Sequence, residues 1–273
     1  MRPTVPQSAT GPESASGPHA ATGPEAAALA ALAACGPFFA CTVHAPGSRP
    51  EAAWRSMAEL VEEPSVLPGR ALAVREYLAA GTGRPPEAVE ARVAASVAHL
   101  GLVARVLSPL FARTALHGAP PVPALGELWW QPRLGGAFPL SLPAGTLSRG
   151  TPAPFGTSAR EAAALVFERL VVPLTGAVAA AFSVSQRTLW GNVASAVNGA
   201  HTALTSAAPG EEDRIAEAAA AFLAHDALRD TYDGGLGRQP FRRRGCCLIY
   251  RAMATPGGDL TGAVCGDCVL GSR

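Results

Sequence analysis

Apolar residues recur at helical spacing along most of the chain. After Arg84-Pro85-Pro86-Glu87, the positions Val89, Val93, Val97, Leu100, Ala104 and Leu107 predict one long helix with a single apolar stripe, ending near Pro109. Ser158-Ala159-Arg160-Glu161 has the form of a capping box, and Val166, Leu170, Leu174 and Val178 follow as the inward face of a second helix. Ser185 is placed to cap a third, carrying Leu189, Val193, Val197 and Leu204. Gly210-Glu211-Glu212-Asp213 sets carboxylates at the positive end of a fourth, which would bury Ile215, Ala219, Phe222 and Leu223. Residues 119–156 break this rhythm with dense Pro and Gly. Within them Glu127 to Arg133 and Ala137 to Leu142 suit short antiparallel strands, and Phe38 to His44 suits another. The pattern predicts a mainly α (α+β) protein: a helical domain over 25–233 with a small antiparallel β piece, and a cysteine-bearing tail over 234–273.

Composition adjusts this picture at the start of the chain. Gly-Pro repeats at 11, 17 and 23 among Ser, Thr and Ala, so residues 1–24 are expected to be disordered, lacking the apolar area to offset the entropy of ordering. Leu32-Ala33-Ala34-Cys35-Gly36 has the outline of a lipoprotein processing box. The Pro/Gly tract with Glu13 and Glu25 before it is not the short cationic start that export needs, so the reading is cytoplasmic, with Cys35 and Cys41 as ordinary buried thiols. The longest uncharged apolar stretch, Leu170 to Val184, falls short of the about 20 residues that span a bilayer and reads as a buried helix.

A formal net charge of +1 gives no general pull toward nucleic acid. No Gly-x-Gly-x-x-Gly follows a strand and no Walker loop occurs, so a built-in nicotinamide or flavin domain is not expected. His99, His117, His201 and His225 lack metal-type spacing, and each reads as a surface or satisfied core histidine. Trp129, Trp130 and Trp190 read mainly as core anchors. Asn192, Ser195 and Asn198 share a helical edge that can face a pocket, although caps or solvent explain them as well.

The candidate chemistry sits in the tail. Cys246-Cys247 and Cys265-Gly266-Asp267-Cys268 together offer four soft thiolates, which select zinc or an iron–sulfur cluster over calcium or magnesium. Two intervening residues let the Cys-x-x-Cys half turn and aim both sulfurs one way, with Gly266 as permissive backbone. Adjacent cysteines in extended chain point oppositely, so Cys246 and Cys247 share a site only if the backbone bends, most easily at Gly245. Around them Arg238, Arg242, Arg243, Arg244 and Arg251 make the tail basic, which favours an anionic chelate or an acidic ferredoxin and raises the potential of a nearby redox centre, unless they are plain solvated arginines. Tyr250 is placed either to pack beside the centre or to join the core.

The run Arg244-Gly245-Cys246-Cys247-Leu248-Ile249-Tyr250-Arg251, followed by Cys265-x-x-Cys268, resembles the FhuF-like ferric-siderophore reductases. Leu189-Trp190-Gly191-Asn192-Val193-Ala194-Ser195-Ala196 and Leu128-Trp129-Trp130-Gln131-Pro132 resemble further stretches of actinobacterial members. Seventeen residues separate Cys247 from Cys265, a longer insert than that family carries, rich in Gly, Pro and Thr as a tolerant loop would be. The resemblance implies a [2Fe–2S] cluster on Cys246, Cys247, Cys265 and Cys268. It also implies one-electron reduction of a siderophore's ferric iron, with Arg242, Arg243, Arg244, Tyr250 and Arg251 as candidate substrate contacts. Electrons would come from a ferredoxin or an NAD(P)H-dependent reductase, and the chain could work at the inner face of a membrane importer. The alternative is a structural zinc on the same cysteines in a siderophore-binding or adaptor protein; disulfides in an exported protein are a further reading.

Overall fold

The computed structural model describes residues 23–50, 53–147, 155–235, 240–253 and 264–270. The expected disorder before residue 23, Arg238 and most of the insert between the cysteine pairs lie outside these residues. The chain is mainly helical, with 58% helix and 7% strand.

In chain order the elements are α1 (Pro24–Ala34), β1 (Thr42–His44), β2 (Arg55–Ser56), α2 (Glu59–Glu62), α3 (Val66–Gly81) and α4 (Ala91–His117). Then come β3 (Trp129–Trp130), β4 (Leu140–Pro143), α5 (Phe155–Val166), a π-helical turn Phe167–Val171, and α6 (Val172–Ala181). The chain continues through α7 (Gln186–Ala207), α8 (Glu212–Leu223), β5 (Tyr232–Asp233), β6 (Arg242–Arg243) and α9 (Tyr250–Met253).

The axis of the molecule is α4, packed by α3, α5, α7 and α8. Leu102, Val103, Val106, Leu107, Leu110 and Phe111 are each 0% exposed, so the predicted stripe widens into a helix buried on nearly every side. Each such side chain removes enough apolar area from water to favour folding by about 1.5–3 kcal/mol. Burial also explains why the helix does not end near Pro109 as expected. It runs on to His117 with Pro109 inside it, because the lost amide bond is outweighed by packing around the ring. Phe111 meets the edge of Phe222 from α8, with centroids 5.4 Å apart.

Two further local expectations meet different outcomes. Ser185 does cap α7, accepting from the Thr188 amide at 3.1 Å, and the carboxylates Glu212 and Asp213 do open α8. Ser158, by contrast, lies inside α5 and is buried, and its hydroxyl accepts from the Ala119 amide at 2.8 Å. It ties a loop to the helix where a capping box was expected. Pro173 follows the π turn, which absorbs the missing amide without ending the run from α5 to α6.

The small sheet has the order β1-β4-β3-β2. β3 pairs antiparallel with β4, as expected of the stretches 127–133 and 137–142, and with β2, a strand the sequence pattern did not indicate, while β1 lies parallel to β4. Arg105 reaches from α4 into this corner and donates to the carbonyls of Phe138 at 2.6 Å, Phe38 at 2.9 Å and Ala40. Trp130 is core, 1% exposed beside Phe138.

Candidate metal centre

The tail reaches α4 and α7 through a second, short ribbon. β6 pairs antiparallel with β5, Tyr232 opposite Arg243, and strand alternation turns Arg243 inward while Arg242 and Arg244 point outward. The chain then passes Gly245, which lies against Arg187 of α7. Cys247 is pinned through its carbonyl, which accepts from Ser96 Oγ of α4 at 2.8 Å.

The bend that separates the vicinal cysteines falls after them. Leu248 has φ 71°, while Gly245 is not left-handed. A branched residue there stores about 1 kcal/mol of strain, and it is held by its contact with the small cluster of Val74, Leu78, Val89, Val93 and Ala252. α9 follows immediately. Ala252 is buried in that cluster and Arg251 pairs with Glu90 at 2.6 Å, so both sides of the cysteine pair are fixed to the helical body.

The second pair docks from the other direction. The Asp267 carbonyl accepts from the Arg243 amide at 3.0 Å, the Cys268 carbonyl from Arg242 Nη1 at 3.2 Å, and Asp267 Oδ1 from Asn198 Nδ2 at 3.1 Å. The turn itself is closed by the Cys268 amide donating to the Cys265 carbonyl at 3.0 Å.

These anchors place Cys247 Sγ 3.7 Å from Cys265 Sγ. Four sulfurs on one metal at about 2.3 Å stand about 3.8 Å apart, so this pair already has the spacing of two ligands on one ion. Cys246 Sγ accepts from the Leu248 amide at 3.2 Å and Cys268 Sγ from the Leu270 amide at 3.3 Å, bonds that favour thiolate. The thiols of Cys246 and Cys265 donate toward Cys247, holding its pKa well below the ordinary thiol range and pushing their own up. Cys247 is therefore the first to ionise. Among the described residues, no three of His, Cys, Asp or Glu are already arranged as a closed metal site. Every cysteine is a free thiol. The donor set thus fits a soft metal or a cluster, with one sulfur pair in register and the other two within the same small segment.

Beneath the cysteines lies a polar network that the sequence reading only partly foresaw. Arg243, 1% exposed, donates through Nη2 to Asn192 Oδ1 at 2.6 Å and to the Thr188 carbonyl at 3.1 Å. Asn192 Nδ2 in turn donates to the Ser96 carbonyl at 2.9 Å and toward His99 Nδ1 at 3.3 Å. With Nδ1 accepting, His99 donates from Nε2 to Thr175 Oγ1 at 3.0 Å. Burial, assisted by the Arg243 charge, brings the His99 pKa down to about 3, so this ring is a neutral core histidine. Ser96, His99 and Thr175 sit among apolar residues on their helices, where only their buried polarity could have singled them out.

A cavity of about 320 Å³ opens beside the centre, lined by Phe38, Leu100, Ala104, Ala200, Arg243 and Cys265 among others. Ser195 and Asp267 give it polar points, and burial pushes the Asp267 carboxyl above its usual range. Of the three polar residues on the α7 edge, Asn192 holds Arg243, Ser195 lines the cavity and Asn198 holds Asp267, so all three face the tail.

The other tail positions have separate fates. Arg244 is tied to Asp230 and Asp233, and Arg251 to Glu90 and the face of Tyr250. Cys41 belongs to the opposite kind of site: burial raises its pKa to about 12, an inert thiol packed against the core. No protein-family model, curated protein or solved structure matches the chain.

Proposed function

We propose that the protein is a cytoplasmic ferric-siderophore reductase that holds a [2Fe–2S] cluster on Cys246, Cys247, Cys265 and Cys268. The observation that carries this reading is the folding together of two cysteine pairs from distant parts of the tail, with Cys247 and Cys265 at 3.7 Å. The resemblance of the same residues to the FhuF-like tail supports iron–sulfur as the occupant.

When bound, such a cluster supplies one electron at a time and no acid–base chemistry. Oxygen-rich chelators grip hard Fe³⁺ far more tightly than Fe²⁺, so one electron added to the substrate iron releases it. The chain's own work is to hold and to position. Ser96 and Leu248 fix the vicinal pair, Asn198 and Arg242 fix the Cys-x-x-Cys turn, and the cavity beside Cys265 gives part of a chelate a place next to the sulfurs. The electron comes from outside, from a ferredoxin or an NAD(P)H-dependent reductase, because no nucleotide-binding motif is present in the sequence. Work at the inner face of a membrane importer is compatible with this scheme.

Anaerobic purification with iron and acid-labile sulfide analysis tests the proposal. Equal iron and sulfide, with a brown colour that dithionite bleaches, is the expected result. Stoichiometric zinc without sulfide would replace the reductase by the zinc-stabilised binding protein.

A further inference from the structure

The guanidinium of Arg243 is left half-bonded in the interior. Its Nη2 is held by α7, but Nε and Nη1 are buried and have no hydrogen-bond partner among the described residues. Among the described residues no carboxylate forms an ion pair with it. Asp267 is near enough to feel the Arg243 charge, yet its side chain is hydrogen-bonded to Asn198 and forms no ion pair with Arg243, whose backbone amide meets the Asp267 carbonyl. A buried cation without an anion is among the costliest arrangements a core can hold. Arg70 also leaves Nε unpartnered, but its guanidinium lies over the rings of Trp130 and Phe138.

The cavity beside Arg243 is shared with the cysteine centre. Arg243 and Cys265 line the same cavity, and the Arg243 amide donates to the Asp267 carbonyl inside the Cys265–Cys268 turn at 3.0 Å. Four thiolates around one divalent ion, or around an oxidised [2Fe–2S] core, make a dianion, and one more electron makes it a trianion. The charge missing from one side is present on the other.

α7 is shaped to keep the cation there. A Cβ at Gly191 would come within 3.1 Å of Nη2, so glycine at this position leaves room for the guanidinium, and Asn192 next to it supplies the acceptor. The segment Leu189-Trp190-Gly191-Asn192 thereby acquires a physical role that its sequence did not disclose.

We infer that Arg243 is the built-in countercharge of the thiolate centre, a positioning residue whose free Nη1–H donates to sulfur when the cysteines close on their metal. The inference rests on the metal-centre reading above, and it holds for zinc as for iron–sulfur. It makes the centre easier to fill and, for a redox cluster, easier to reduce, since a fixed positive charge stabilises the more negative state.

The test uses Co²⁺ as a spectroscopic probe of the metal-free protein and potentiometry of the anaerobically loaded one, on wild type, Arg243→Lys and Arg243→Gln. Arg243→Gln should weaken Co²⁺ binding by about tenfold or more and move the reduction midpoint lower, whereas Arg243→Lys should keep most of both. Equal impairment in the Lys and Gln variants would mean that the arginine serves packing, and wild-type affinity and potential in Arg243→Gln would mean that it serves nothing here; either result overturns the inference. If Arg243→Gln does not fold, Gly191→Ala is the second variant: it keeps every donor, obliges the guanidinium to shift by a few tenths of an ångström and should lose affinity in the same direction, and unchanged affinity there overturns the inference as well. A wild-type protein that takes neither Co²⁺ nor a cluster defeats the metal-centre reading itself, a result distinct from the others.

Discussion

Arg105 and Arg243 are both buried to within 2% of full coverage, and among the described residues neither has a carboxylate partner. Arg105 distributes its donors over the carbonyls of Phe38, Ala40 and Phe138, clamping α4 to the sheet corner. Arg243 has only Nη2 engaged, with Nε and Nη1 left without partners among the described residues, and lines the same cavity as Cys265. A buried arginine completed by main-chain oxygen is architecture. One completed on a single side implies that the anion for the other side arrives with the function. The same contrast separates the thiols: Cys41, next to Arg105, is driven up to about 12 by burial, while Cys247 is driven down by hydrogen bonds from its neighbouring thiols.

The contrast can be broken most sharply at the sulfur end. Cys247→Ser should abolish both the visible absorption of the loaded protein and its iron release, because it removes the sulfur on which the two pairs meet. A Cys247→Ser protein that retains both would show that the pairs do not share a centre. At the other end Arg105→Met leaves three carbonyls without their donor and should cost about 3 kcal/mol or more of stability. Urea unfolding of the metal-free protein measures it, with Arg243→Gln as the comparison. Arg243→Gln should cost clearly less there; equal losses would erase the distinction between a finished and an unfinished arginine.

How far this contrast could be read in advance depends on the kind of signal. The spacing of apolar residues was enough for α4, α7 and α8, and the Ser185 cap was legible because its partner is three residues away. Ser158 had the same local form, yet the partner it took, Ala119, is distant in sequence, and tertiary contact decided its role. Pro109 failed as a stop signal because the helix around it is packed on all sides. In the tail the four cysteines pointed to soft-metal chemistry as an expectation, but three identical letters, Arg242-Arg243-Arg244, hid three fates. Strand alternation buries the middle one, and that became visible only once β6 was known to be a strand. The bend at Leu248 had no sequence signal, since a leucine is a poor candidate for a left-handed position and Gly245 lay close by.

The network under Arg243 gives a smaller effect that follows pH. His99 ordinarily titrates near 6.5, but burial, with Arg243 adding to it, brings it to about 3 in the folded protein. The native ring stays neutral while the unfolded ring takes a proton, so the stabilisation is complete above about 6.5 and is lost as pH falls from there toward 3. The slope from this one group is at most about 1.4 kcal/mol per pH unit, or about 2 kcal/mol between pH 6.5 and 5. Urea midpoints at pH 7 and 5 should fall more steeply for wild type than for His99→Gln. Parallel lines would show that His99 is not held neutral.

The smallest effect separates fold from site within α7 itself. Ser185 accepts from the Thr188 amide, and the carbonyl of that same Thr188 accepts from Arg243 Nη2. Ser185→Ala removes a helix cap and should lower stability by about 1 kcal/mol, in metal-free and loaded protein alike. The Thr188 carbonyl remains held by the body of the helix, and Asn192 still grips the guanidinium, so Co²⁺ affinity should change by less than about twofold. A larger loss of affinity than of stability would place the cap inside the machinery that holds Arg243, and the boundary between architecture and function would move one turn toward the helix start.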